Sequence, residues 1–266
     1  MAQVNLVKLA RQIRIYILTS TTAAGSGHPT SSLSAVELMT TLFFKYFKKN
    51  DRLIFSKGHA SPLFYALYTA AGKISEADLM KYRTFESNLE GHPSMRFPYT
   101  EVPTGSLGQG LGAGLGEALG LKLQKSNGRV FVLVGDGELA EGSTWEAASW
   151  AAKKKLNNLF AIADINRLGQ SDDTMFGYDI AAYQKRFEAF GWKTIVVSDG
   201  NNLKHVDAAF AKVTTGLPAG EAGPAIILAK TVKGSGVSFL EGINGWHGKA
   251  LGKDELTKAL YELRSK

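Results

Sequence analysis

Four of the five histidines sit in glycine-flanked turns, as Gly27-His28-Pro29, Gly58-His59-Ala60, Gly91-His92-Pro93 and Trp246-His247-Gly248. The remaining one, His205, falls on a helical stretch and reads as a surface residue. Imidazoles on four separate loops suggest a polar site assembled from many segments, because each can donate to a hydroxyl or phosphate and move a proton near neutral pH. A phosphorylated polyol is a natural ligand for such a set. Zinc is a poor reading, since no pair has short-range ligand spacing.

A second pattern is built on oxygen. Gly135-Asp136-Gly137-Glu138 and Ile165-Asn166-Arg167 each follow an apolar run, and Asp136 and Asn166 lie 166 − 136 = 30 residues apart, about one strand–helix–strand unit. On neighbouring strands the two side chains can share a hard cation. Magnesium suits such a place, because it takes oxygen ligands and keeps positions for phosphate oxygens and water. The structural alternative makes Asp136 a turn residue between glycines and Asn166 a cap. Both readings stand at this point.

The glycines, 29 of 266 residues, concentrate between Thr104 and Gly120. Gly108-x-Gly110-x-x-Ala113 formally fits a loose dinucleotide fingerprint, but no convincing strand precedes Thr104 and no acid for a ribose follows at the right distance. Alternating glycines at the head of a helix instead permit close backbone approach, to an anion at the amino end or to a second packed helix. For residues 112–120 close packing is at least as good a reading as phosphate contact; for 105–107 a loop contact is better.

These residues need positioning elements. Apolar residues at three-four spacing predict helices over 4–22, 33–47, 62–71 and 75–84. Almost continuously apolar runs predict buried strands at 129–134, 159–164, 193–197 and 225–229, with helices at 108–124, 144–154, 180–190 and 203–213 among them and a last helix at 253–264. Strands alternating with helices imply an α/β fold, a doubly wound, mainly parallel sheet with helices on both faces, in one domain over residues 1–266. Ligands in such sheets bind beyond the carboxyl ends of the strands, where Asp136 and Asn166 fall.

Composition closes other doors. With no cysteine, disulfide scaffolds and thiol nucleophiles are excluded. No apolar run reaches the roughly 20 residues of a membrane span, and the start lacks the order of a secretory signal, so a cytoplasmic protein is expected. The net charge of +7 comes from scattered lysines without interleaved aromatics, which argues against nucleic acid and leaves anionic small molecules open. Neither a nucleophile elbow nor a P-loop is present.

In order, Gly25-Ser-Gly-His-Pro29, Ser56-Lys-Gly-His-Ala60, Glu90-Gly-His-Pro93, Thr104-Gly-Ser-Leu-Gly-Gln-Gly110, Gly135-Asp-Gly-Glu-Leu-Ala-Glu-Gly142, Asp164-Ile-Asn-Arg-Leu-Gly-Gln-Ser171 and Trp246-His-Gly248 resemble the amino-terminal domain of transketolase. The match covers essentially the whole chain, and the ordered set is far more specific than any single motif. The resemblance implies the diphosphate-binding fold of thiamine diphosphate enzymes. By it, Asp136, Asn166 and the backbone carbonyl of Leu168 match magnesium ligands, with calcium or manganese as substitutes. His59, His247, Gly105, Ser106, Leu107, Gly137 and Asn166 match cofactor contacts, and Ser31 and Gln170 occupy positions near the cofactor. His28, His92 and His247 match residues of the substrate channel, Lys233 and Lys57 anion contacts, and Glu141 an acid that couples paired sites across an interface between chains.

The resemblance further implies transfer of a two-carbon ketol unit between sugar phosphates of the pentose phosphate type. A full transketolase also carries a pyrimidine-binding and a carboxy-terminal domain. The expectation is therefore an amino-terminal subunit of a split enzyme, inactive alone, that joins a carboxy-terminal subunit in a heterotetramer. A related enzyme for another ketose phosphate and a non-catalytic regulatory module are the competing readings; deoxyxylulose phosphate synthase fits the histidine set less well.

Overall fold

The computed structural model describes residues 4–215 and 223–265. Five strands, β1 (Arg52–Phe55), β2 (Val130–Gly135), β3 (Leu159–Ile165), β4 (Lys193–Val197) and β5 (Ala225–Lys230), form one sheet in the order β1-β2-β3-β5-β4. Every neighbouring pair is parallel, so the sheet is wholly rather than mainly parallel over the described residues.

The central strands were expected from their apolar runs, and both of their faces are buried. Phe131, Leu133, Phe160, Ile162, Ala225 and Ile227 point into one core, and Val130, Val132, Leu159, Ala161, Ile226 and Leu228 into the other. This is the period-two alternation of a pleated strand with both sides covered. The first core is closed by α1 (Leu6–Ala24), α3 (Val36–Thr41), α4 (Ser61–Ala70), α9 (Leu203–Thr215) and α10 (Lys253–Ser265). The second is closed by α6 (Gln109–Leu123), α7 (Gly142–Lys153) and α8 (Ile180–Ala189). From β2 through β3 to β4 the chain moves one way across the sheet, and α7 and α8 share a face. From β4 it returns to β5 inside, and the right-handed crossover puts α9 on the opposite face.

Three expectations need correction. The strand β1 was not anticipated: it is four residues long, sits at the sheet edge and starts on the exposed Arg52. The helix expected over 75–84 is the single turn α5 (Glu76–Leu79), after which the amides of Lys81, Tyr82 and Thr84 bond three residues back and Arg83 turns left-handed at φ 60°. The helix expected over 33–47 is split into the short α2 (Pro29–Leu33), α3 and a π-helical turn at Leu42–Tyr46.

The α6 glycines divide by position. A Cβ at Gly110 would lie 2.3 Å from the Ser56 Cβ, and one at Gly114 would lie 2.6 Å from a Val132 methyl. Gly112, Gly116 and Gly120 meet nothing within 4 Å. The close packing anticipated for residues 112–120 is therefore found at Gly114 alone, where the partner is the sheet and not a second helix, and Gly110, outside that range, packs against the loop after β1.

Candidate functional site

The carboxyl ends of β1, β2, β3 and β5 release the chain into Ser56-Lys57-Gly58-His59, Asp136-Gly137, Asn166-Arg167 and Thr231-Val232-Lys233. Because the strands are parallel and in register, with Gly135 opposite Asp164 and Asp164 opposite Ala229, these segments converge at one edge. They enclose a cavity of about 290 Å³. Of the residues anticipated from sequence, His28, Ser31, His59, His92, Gly105, Leu107, Asp136, Gly137, Asn166, Leu168, Gln170, Lys233 and His247 line it. Ser106 and Glu141 do not; both are exposed, Ser106 on the loop before α6 and Glu141 at the head of α7. Larger grooves of about 630 and 600 Å³ lie along α1, without histidines.

The imidazoles form one wall. His28 stands at the centre, with ring centroids 5.0 Å from His247, 5.2 Å from His59 and 6.2 Å from His92. Burial first and neighbouring positive groups second hold all of them below the ordinary histidine range: His28 at about 4 and His247 at about 3. His59 lies well below its usual value through burial and the Lys57 ammonium, and His92 is lowered by burial and the Arg83 guanidinium. At neutral pH the wall is therefore uncharged, and each ring offers one donor and one acceptor. The Lys233 ammonium lies 2.9 Å from Nδ1 of His247. An ammonium only donates, so Nδ1 accepts and the proton resides on Nε2.

Oxygen atoms form the opposite corner. Oδ2 of Asp136 accepts from the Arg167 amide at 2.7 Å and the Thr174 hydroxyl at 3.0 Å, and Oδ1 accepts from the Gly137 amide at 3.1 Å. Burial, and then the Asp164 charge, push Asp136 up to about 6, with the Lys57 ammonium opposing. Asn166 is buried beside it, and its Oδ1 accepts from the Leu168 amide at 3.2 Å. The loop closes on itself through the Leu168–Asp173 bridge and the Thr174 amide donating to the Arg167 carbonyl at 2.7 Å, with Arg167 left-handed at φ 64°. The Leu168 and Gly169 carbonyls each accept from Lys233 Nζ at 2.9 Å. Lys233 is thus a fastener of this loop, and burial beside Lys57 lowers it to about 8.

Lys57, read from sequence as an anion contact, has its ammonium committed elsewhere. It donates to Asp164 Oδ2 at 2.5 Å, the Ser31 carbonyl at 2.9 Å and Ser34 Oγ at 3.2 Å. Asp164 is fully buried and also accepts from Ser34 Oγ at 2.5 Å and from the Thr231 hydroxyl. Neither Asp164 nor Glu138, which lines the cavity, was assigned a role from sequence. The one available signal for Asp164 was an acid inside an otherwise apolar strand.

Among the described residues no three histidine, aspartate or glutamate side chains converge as a metal cluster, so a cation here would rely on Asp136, Asn166 and a carbonyl. None of the described helices is long and apolar enough to cross a membrane.

Comparison with known proteins gives one consistent family. Residues 7–264 match the family model described as "Transketolase, thiamine diphosphate binding domain". Human transketolase is 45% identical over 96% of this chain and 41% of its own length. The chain thus spans about two-fifths of the length of such relatives. One subunit of the apulose-4-phosphate transketolase of Actinobacillus succinogenes is 37% identical over 98% of this chain and 96% of its own length. The crystal structure of transketolase from Campylobacter jejuni superposes with a TM-score of 0.89 at 30% identity, covering 97% of this chain and 42% of that one.

Proposed function

This chain belongs to the transketolase thiamine diphosphate-binding family, and from that premise we propose that it is the diphosphate-binding half of a two-chain ketol transferase. A carboxy-terminal subunit would supply the pyrimidine-binding half, in a heterotetramer with paired sites. The observation that carries the reading is the meeting, in one cavity, of four neutral imidazoles with a buried oxygen-donor corner. The Actinobacillus relative, itself named as one subunit of its enzyme, matches this chain over nearly its whole length, which supports the two-chain arrangement.

The residues fit thiamine diphosphate and a divalent cation. The Asp136 carboxylate is buried and its hydrogen-bond donors are all neutral, the setting in which a hard cation is well received. A Cβ at Gly137 would meet only a Thr174 methyl at 3.7 Å, so the chain leaves room beside that carboxylate. A Cβ at Gly105 would press within 3.2 Å of the His92 ring, so the loop approaches that wall as bare backbone. Asp136, Asn166 and the free lone pair of the Leu168 carbonyl would hold magnesium. His59, Gly105, Leu107, Gly137, Gln170, Ser31 and Lys233 would face the cofactor.

When bound, thiamine diphosphate supplies the nucleophilic thiazolium carbon and electron sink that two-carbon transfer requires. This chain's contribution is positioning and proton handling. His28, His92 and His247 would hydrogen-bond the hydroxyls of a ketose phosphate as neutral rings, and because their proton affinity is lowered, a ring that took up a proton would become a strong acid and return it readily. His247 would offer Nε2–H as a donor, because Lys233 occupies its other nitrogen. Glu141, exposed at the head of α7, would serve at the interface between chains rather than in the cavity.

A second reading keeps the chemistry and changes the sugar. The Actinobacillus relative is named for apulose-4-phosphate, so a branched ketose phosphate is the alternative donor. The test is an assay of ketol transfer from a panel of ketose phosphates, with the chain alone and with a candidate carboxy-terminal subunit. Transfer only by the pair supports the reading; robust transfer by the isolated chain rules out the two-chain form. Calorimetry with thiamine diphosphate and magnesium separates both from a non-catalytic module, which would bind neither even with the partner present.

A further inference from the structure

We propose that Glu138 is a positioning residue that sets two walls of the cavity against each other. The inference rests on the reading of that cavity as a thiamine diphosphate site and names a residue that holds its shape. Its side chain is buried, and every hydrogen-bonding neighbour is a donor: the Ser56 hydroxyl and the Gly108 amide (2.8 Å) to Oε1, and the Gly135 amide (3.3 Å) to Oε2. These donors come from three places, the loop after β1, the head of α6 and the end of β2. Ser56 passes the link on, because its Oγ accepts from the Gly110 amide at 3.0 Å. Thus the carboxylate and the hydroxyl together take up two of the leading amides of α6, those of Gly108 and Gly110.

Directly beside this junction the two loops touch. A Cβ at Gly58 would lie 2.8 Å from the Gly105 amide nitrogen and 2.8 Å from the Thr104 hydroxyl, which itself donates to the Phe55 carbonyl at 2.7 Å. Gly58 precedes His59, and Gly105 precedes Leu107, so both walls inherit their spacing from the Glu138 junction. Only an ionised carboxylate satisfies three donors at once; a glutamine amide would turn its own N–H toward one of them. At Gly110 the junction requires a glycine, since a Cβ there would come within 2.3 Å of the Ser56 Cβ, and at Gly108 a Cβ would come within 2.4 Å of Ser143 Oγ at the head of α7.

The experiment compares Glu138→Gln with Val206→Ala, a buried α9 substitution away from the cavity, at a temperature where both are folded by circular dichroism. Site-resolved amide exchange should show Gly108, Gly110 and Gly135 of Glu138→Gln exchanging at least about tenfold faster than in wild type, with Ile226 and Leu228 unchanged. Calorimetric affinity for thiamine diphosphate with magnesium, measured with the partner subunit if the chain alone binds weakly, should fall about 10- to 100-fold. Val206→Ala should lose stability and keep its affinity. Unchanged exchange at the three glycines overturns the proposal whatever binds. So does wild-type affinity in Glu138→Gln, or an equal loss in Val206→Ala. Exchange that changes as expected, alongside a wild-type chain that binds no thiamine diphosphate, leaves Glu138 as the fastener and instead removes the functional reading.

Discussion

At the tips of neighbouring strands stand two buried carboxylates whose surroundings differ in kind. Asp164 accepts from an ammonium and two hydroxyls, and its charge is matched within the protein by Lys57. Asp136, which follows the Gly135 paired with Asp164, accepts only from two amides and a hydroxyl, and is pushed up to about 6. The matched charge ties together β3, the loop after β1 and the Ser31–Ser34 turn. Among the described residues no ammonium or guanidinium bonds the other. Burial alone therefore says little about a carboxylate's role; the sign of its nearest partners says more.

The contrast between the two carboxylates implies measurable differences. Asp164→Asn leaves the Lys57 ammonium buried without a counter-charge and should cost about 3–5 kcal/mol in denaturant unfolding. A loss under about 1 kcal/mol would mean that the pair behaves like a surface salt bridge and the contrast fails.

Asp136→Asn should cost far less, about 1 kcal/mol or under in metal-free buffer, because it leaves no buried cation without its counter-charge. Its magnesium-dependent affinity for thiamine diphosphate should nevertheless fall at least about tenfold by calorimetry.

The imidazole wall predicts a pH effect of defined sign. The lowered His28 and His247 take up protons in the unfolded chain first, so stability falls as pH drops from about 6.5 toward about 4. Asp136 opposes this below about 6, because its raised value makes the native state bind the proton more readily. Thermal midpoints measured from pH 7 to 4.5 should therefore drop more steeply in Asp136→Asn than in wild type. Parallel curves would show that Asp136 is not raised.

The smallest effect concerns another filled and open pair. Gly116→Ala on the open side of α6 should stabilise the free chain by about 1 kcal/mol, the helix-propensity gain. Gly114→Ala, facing Val132, should destabilise it. Equal shifts for the two, read by thermal unfolding, would contradict the packing described for α6.

Much of the fold and the site is legible because its signals are local. The β2 run is apolar throughout, the β3 and β5 runs are interrupted only by Asp164 and the terminal Lys230, and both faces of each are covered. Asp136 and Asn166 stand out because each follows such a run, and the histidines because glycines flank them. β1 escapes because four residues at an edge, begun by a charged side chain, carry too little pattern. The commitment of Lys57 and the roles of Glu138 and Asp164 stay hidden for one reason. Their partners lie far away in sequence, Ser56 82 residues from Glu138 and Lys57 107 from Asp164, and no local spacing encodes such a pairing.

The Arg14 guanidinium, buried in α1, is satisfied by the Glu37 carboxylate and by the carbonyl of Ser235, 221 positions downstream. During synthesis, that carbonyl does not exist until 221 residues have been added beyond Arg14. The first helix must therefore wait, half-served, for the loop that carries Lys233. Such long-range closures come late because loop entropy opposes them until their contacts form. The cavity that Lys233 lines is thus completed only when residues more than two hundred positions apart have met.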